Sequence, residues 1–139
     1  MNNIDLSVII LSYNTKELLK NCLESVFKSD LENYTMEVIF VDNNSTDGSK
    51  RYLKKISAKQ ISGERSELIS NITIILNNRN LGYSGGNNTG LEKAAGKYIL
   101  FLNSDTIVKQ KGFKKTLDYM ENNPKVGALT PKTILFIGG

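Results

Sequence analysis

Ile99-Leu100-Phe101-Leu102-Asn103-Ser104-Asp105 runs four apolar residues straight into a polar triplet that ends on a carboxylate. Val38-Ile39-Phe40-Val41-Asp42 closes in the same way. A continuous apolar run of this length predicts a strand covered on both faces. An aspartate at its carboxyl end is then expected at the rim of the sheet, where open α/β sheets bind ligands. Two further runs, Ser7-Val8-Ile9-Ile10-Leu11 and Ile72-Thr73-Ile74-Ile75-Leu76, have the same strand character.

Helical patterns fill the gaps between these strands. Leu18, Leu19, Cys22, Leu23, Val26 and Phe27 recur at helical spacing, and Asn14 with Glu17 predicts an Asn-led capping box at the start of that helix. Lys50, Arg51, Lys54, Lys55 and Lys59 surround Tyr52, Leu53 and Ile56, which reads as the solvated face of a second helix. Residues 59–70 are polar and predict a surface loop. A glycine-rich segment opens a short helix over residues 87–95, with Gly96 expected as its left-handed cap. The last helix carries Phe113, Leu117 and Met120, ends before Pro124 and leads into Val126-Gly127-Ala128-Leu129. Alternating strand and helix predicts an α/β fold with a mostly parallel, doubly wound sheet and helices on both faces. A length of 139 residues suits a single domain, 1–139, with one core.

Composition removes whole classes of chemistry. The chain has no histidine, so neither a Ser-His-Asp triad nor a Cys-His pair can form. Its one cysteine, Cys22, lies among apolar helix positions and is expected in the core, and no intramolecular disulfide is possible. The 18 basic and 14 acidic residues leave a net charge of +4, with the lysines spread over helix surfaces and no nucleic-acid-binding motif, so no nucleic acid partner is expected. The amino terminus lacks the pattern of a signal peptide and no run reaches transmembrane length, which predicts a cytoplasmic protein.

Asn80-Leu81-Gly82-Tyr83-Ser84-Gly85-Gly86-Asn87-Asn88-Thr89-Gly90 lies between the third and fourth strands. Its glycines let backbone approach a ligand closely, and its amides and asparagines can donate to phosphate. The spacing fits neither the dinucleotide fingerprint nor the P-loop. On the glycines alone, a turn followed by a helix start is an equal reading, and the carboxylates on the neighbouring strand ends favour the ligand site.

Asp42-Asn43-Asn44-Ser45-Thr46-Asp47-Gly48-Ser49, together with Ser12-Tyr13-Asn14 and Leu102-Asn103-Ser104-Asp105, resembles the nucleotide-sugar half of the family 2 glycosyltransferases. The segment from Asn80 to Gly90 is similar to the rhamnosyltransferase-like branch of that family. The resemblance implies the nucleotide-diphospho-sugar transferase fold and transfer of a sugar from a UDP- or dTDP-linked donor to a glycan or lipid-linked acceptor, as in polysaccharide biosynthesis. Peripheral membrane association fits such an acceptor. It implies donor binding by Ser12, Tyr13, Asn14, Asp42, Asn44, Arg79, Gly82, Gly86, Asn87, Asn103 and Ser104. Asp42 is assigned the N3 proton of a pyrimidine. Tyr13 either packs on the base or ribose or fills the start of the first helix, and Arg79 either reaches the base or diphosphate or stays on the surface. Asn103-Ser104-Asp105 stands where the family has D-x-D, so Asp105 becomes the ligand of a Mg²⁺ or Mn²⁺ ion bound to the diphosphate, with Asn103 replacing the first acid. The competing reading makes Asp105 a cap of the following turn.

The general base that an inverting transfer needs has no evident source. After Asp105 the acids are Asp118 and Glu121, both on the predicted last helix and expected on its solvated face. The sequence ends in Thr133-Ile134-Leu135-Phe136-Ile137-Gly138-Gly139, which reads as the start of a strand, so the acceptor-binding half is expected to be missing and the apolar tail to favour self-association. Two other classes stay open: a nucleotide-binding module without transfer, and an unrelated α/β domain with a strand-end metal site. The last would want clustered acids after the first strand, and Leu11-Ser12-Tyr13-Asn14 offers none.

Overall fold

A computed structural model describes residues 3–61 and 69–135. Along the chain run β1 (Leu6–Ser12), α1 (Lys16–Phe27), β2 (Met36–Asp42), α2 (Ser49–Ile61), β3 (Ile69–Leu76), α3 (Gly82–Leu91), β4 (Tyr98–Asn103) and α4 (Gly112–Asn122). The strands form one four-stranded sheet in the order β3-β2-β1-β4, every pair parallel. This is the α/β sheet that the alternation predicts.

Alternation along each strand sorts the apolar residues onto two faces. Val8, Ile10, Val38 and Phe40 pack against Leu19, Cys22, Leu23 and Val26 of α1, Leu53 and Ile56 of α2, and Phe113 and Leu117 of α4. Ile9, Ile39 and Val41 point to the other side, with Leu11, Ile75 and Ala94 around them. There α3 comes so close that a Cβ on Gly90 would lie 2.6 Å from Ile9 Cγ2. Each fully covered Leu, Ile or Phe in these layers contributes about 1.5–3 kcal/mol. Strand β4 lies beyond α3's cover at the edge of the sheet, so Ile99 and Phe101 on that face stay exposed.

Helices α1 and α2 therefore lie on one face of the sheet and α3 on the other. The chain leaves β1 for β2 on one side and reaches β4 on the opposite side of β1. That reversal opens a crevice at the carboxyl ends of β1, β2 and β4.

Several local expectations shift. Strand β3 begins at Ile69 and α2 runs to Ile61, so the polar loop expected over 59–70 is helix and strand at its two ends, and its middle lies outside the described residues. The glycine-rich segment is itself helical, because α3 starts at Gly82 rather than at residue 87. Helix α3 ends at Leu91 with Glu92 as a right-handed cap, so Gly96 does not terminate it. Residues 133–135 are not strand, and the remainder of the expected terminal strand lies outside the described residues.

Candidate functional site

The register sets Ser12 beside Asp42 and Leu11 beside Asn103, so the ends of β1, β2 and β4 stand abreast. Asp42 does not lie open on this rim; it is fully buried. Its position shares a face with Val38 and Phe40, the face that α1 and α2 cover, and one carboxylate oxygen turns to accept the Ser45 N–H at 2.8 Å. The other oxygen, Oδ1, is a buried acceptor without a hydrogen-bond partner. Such a group costs about 1–3 kcal/mol unless something satisfies it.

Two loops interlock above β1 and β2. Asn14 and Asn44 both adopt left-handed backbone, which asparagine tolerates better than most residues. The Asn14 N–H donates to Ser45 Oγ at 2.9 Å, and its side-chain oxygen accepts the Thr46 N–H at 2.8 Å. Asn14 is thus not the cap of α1; Thr15 precedes the helix and makes no side-chain cap bond. The cap comes from the other loop. Asp47 accepts the Lys16 N–H at 2.9 Å with one oxygen and the Ser49 N–H at 3.0 Å with the other, so one carboxylate serves the first turns of both α1 and α2. Asn44 is turned toward α2, where it accepts Lys50 Nζ at 2.6 Å.

Partial burial pushes the Asp47 carboxyl up, but the hydrogen bonds from Ser49 and from the Lys16 N–H outweigh it and hold the group below the ordinary aspartate value. A depressed folded value stabilises the native state fully above the ordinary range of about pH 4, and that contribution disappears as pH falls through the folded value. Asp47→Ala is expected to lose about 1 kcal/mol at neutral pH. The difference from the parent should shrink when denaturant unfolding is repeated in acid; a constant difference across pH would show that the charge is not involved.

Asn43 ties the crevice to α3 and was not singled out from sequence. It is buried, its amide donates to the Gly82 carbonyl at 3.0 Å, and its side-chain oxygen accepts Asn77 Nδ2 at 3.0 Å. Gly82 takes a left-handed backbone, and a Cβ on Gly86 would lie 2.5 Å from Leu11 Cδ1 and 2.9 Å from Asn43 Nδ2. The glycines let α3 start against the rim. Asn80 Oδ1 accepts the Gly82 N–H at 2.8 Å, Leu81 adds no side-chain cap bond, and the positive end of the helix dipole lies at this turn. Asn87 is buried one turn further on, whereas Tyr13, Arg79 and Tyr83 are exposed.

Across β1, Ser104 is buried and Asn103 and Asp105 are exposed. No helix begins at Asp105 for it to cap, since α4 starts at Gly112; Thr106 donates its N–H to the Asn103 carbonyl at 3.1 Å and closes the turn. Among the described residues no three His, Cys, Asp or Glu side chains come together. Burial, and then the charge of Asp105, push the Cys22 thiol up to about 12, and Cys22 stays a buried thiol that donates to the Asn103 carbonyl. One exposed carboxylate is a poor cage but a workable anchor, because Mg²⁺ is commonly held by one or two carboxylates plus substrate phosphates.

The crevice thus brings together Ser12, Tyr13, Asn14, Asp42, Gly82, Gly86, Asn103, Ser104 and Asp105, with Asn87 one turn along α3, while Asn44 faces α2 and Arg79 is exposed on the segment between β3 and α3. An open parallel sheet with loops built over its switch point defines the chain as an α/β ligand-binding domain. Its family is narrower than that. Residues 7–134 match Glycosyl transferase family 2, and the chain belongs to that family. It is 32% identical over 123 residues to an uncharacterized glycosyltransferase of Haemophilus influenzae, across 88% of this chain and 35% of that one. Identity to the poly(ribitol-phosphate) beta-glucosyltransferase of Bacillus spizizenii is 28% over 119 residues, across 85% of this chain and 17% of the relative. The crystal structure of S. aureus TarS 1-349 in complex with UDP superposes with a TM-score of 0.72 at 25% identity, covering 87% of this chain and 33% of that 1-349 chain. The chain spans well under half the length of these relatives.

Proposed function

We propose that this chain is the donor-binding portion of a glycosyltransferase that moves a sugar from a UDP- or dTDP-linked donor to a glycan or lipid-linked acceptor. The observation that carries this reading is the pair of carboxylates flanking the end of β1. Asp42 holds an unsatisfied oxygen beneath one side of the crevice, and Asp105 is exposed on the other. An N3 proton of a pyrimidine would satisfy Asp42 Oδ1 once the side chains above it give way. The diphosphate would then lie between the first turn of α3 and Asp105, which would hold Mg²⁺ or Mn²⁺ against it. Such a cation, when bound, neutralises the charge that gathers on the departing nucleoside diphosphate. Asn43 and the glycines of α3 keep the backbone close enough to line that space.

UDP in the TarS complex and the poly(ribitol-phosphate) in the name of the Bacillus relative support the donor and acceptor classes. Kinship to the rhamnosyltransferase-like branch rests on Asn103 in place of an acid and on the segment from Asn80 to Gly90. The cytoplasm is the proposed compartment, with acceptor reached at the membrane surface; among the described residues no helix is long and apolar enough to cross a membrane. Exposed Ile134 and Leu135 supply an apolar surface for self-association.

Calorimetry tests the donor assignment. UDP or dTDP should bind more tightly than ADP or GDP, and Asp42→Ala should weaken the pyrimidine nucleotide by about 1.5–3 kcal/mol, the scale of a hydrogen bond to a charged group. Asp105→Asn should remove the dependence on Mn²⁺ or Mg²⁺ while leaving the base preference intact. Equal affinity for purine and pyrimidine diphosphates in the parent would overturn the assignment.

A further inference from the structure

Three hydroxyls bridge the crevice. Ser12 Oγ, at the end of β1, shares a 3.0 Å hydrogen bond with Thr15 Oγ1, which shares another of 2.8 Å with Ser104 Oγ, the residue before Asp105. Ser12 and Ser104 are buried. Thr15 stands where a helix cap belongs, yet its side chain makes no bond to its own helix. Its hydroxyl is spent across the crevice instead. Below this bridge α1 holds the same segment twice more: Cys22 Sγ donates to the Asn103 carbonyl at 3.7 Å, and Ser25 Oγ accepts the Val108 N–H at 2.9 Å.

From this bridge we infer that Thr15 is a positioning residue: its hydroxyl fixes the turn carrying Asp105 against β1 and so sets the geometry in which Asp105 meets a diphosphate-bound cation. The inference rests on the donor-binding reading above. The Cys22 and Ser25 bonds hold the segment on either side, at Asn103 and Val108. Among the described residues the Thr15 bridge alone holds it at Ser104, beside Asp105, and a ligand that must be ordered at the moment of binding loses affinity for it. Partners that orient a metal-binding side chain commonly affect metal affinity by about tenfold or more.

The test compares Thr15→Val, which keeps the shape and removes the hydroxyl, with Thr15→Ser, which keeps the hydroxyl. UDP binding is followed by calorimetry over a range of Mn²⁺ concentrations, and folding is checked by denaturant unfolding. In Thr15→Val the Mn²⁺ concentration giving half of the full gain in UDP affinity should rise about tenfold, and saturating Mn²⁺ should restore the parent's affinity. Thr15→Ser should behave as the parent does. An unchanged Mn²⁺ midpoint in Thr15→Val overturns the inference, as does a UDP affinity that stays low at saturating Mn²⁺, which is the mark of general damage. A parent whose UDP binding ignores Mn²⁺ overturns the role of Asp105 and this inference with it. A parent that binds no UDP overturns the donor-binding reading itself.

Discussion

Gly96→Ala is expected to destabilise the fold by about 3–5 kcal/mol, combining steric overlap with damage to a buried hydrogen-bond cluster. A Cβ at this position would lie 2.5 Å from the Ser7 backbone nitrogen, 2.7 Å from Ser7 Oγ and 2.9 Å from the Leu6 carbonyl carbon. Two of these atoms are backbone of β1, which is hydrogen-bonded to strands on both sides and cannot yield. The displaced turn is also anchored: Ser7 Oγ and the Ala95 N–H donate to the buried Glu37 carboxylate at 2.5 and 2.7 Å, and the Gly96 N–H donates to Ser7 Oγ at 2.8 Å. A domain stable by about 5–15 kcal/mol loses much of its margin to such a change. Gly127→Ala is the control, since nothing lies within 4 Å of a Cβ there, and it should shift stability by less than about 0.5 kcal/mol. Equal denaturation midpoints for the two variants would show that the turn can move away from β1.

The same close approach explains why part of the architecture was legible in the sequence and part was not. Strands β1 and β2 are buried on both faces, so they read as unbroken apolar runs and needed no context. Helix α4 has one buried stripe, Phe113 and Leu117, at helical spacing. Helix α3 is the opposite case. Its sequence, GYSGGNNTGL, has poor intrinsic helix propensity. What holds it is tertiary: Gly86 and Gly90 let it press on Leu11, Ile9 and Val41, and Asn43 grips its first residue. No local pattern encodes those contacts, so the sequence alone starts the helix at residue 87 rather than at Gly82. Asn14 was misplaced for a related reason, since its left-handed backbone depends on Ser45 and Thr46 of a distant loop. The burial of Asp42 did leave a signal, because period-two alternation puts it on the covered face with Val38 and Phe40. The same count sends Asn43 toward α3, where it becomes the hub that sequence reading passed over.

Sugar transfer by the 139-residue chain itself is expected to be lower by about 10²–10⁴-fold than a positioned general base would allow, even with the proposed donor bound. The two acids that follow Asp105 are already committed. Asp118 accepts Lys114 Nζ at 2.6 Å and the Tyr34 hydroxyl at 2.8 Å, and Glu121 accepts Lys97 Nζ at 2.6 Å. Lys114 and then Tyr34 hold Asp118 below the ordinary carboxylate range, and Lys97 and then Tyr98 do the same to Glu121. A carboxylate stabilised in its charged form is a weaker base, which is the wrong direction for taking a proton from an acceptor hydroxyl. Nor can the rim acids serve. Asp42 lies beneath the surface, Asp47 caps two helices, and Asp105 is assigned to the proposed diphosphate site. Mixing the purified chain with UDP- and dTDP-sugars and candidate glycan acceptors should release nucleoside diphosphate no faster than the Asp105→Asn variant does. Acceptor-dependent release well above that control would place a working base among these residues, and Asp118→Asn and Glu121→Gln would then show which of the two ion pairs opens to provide it.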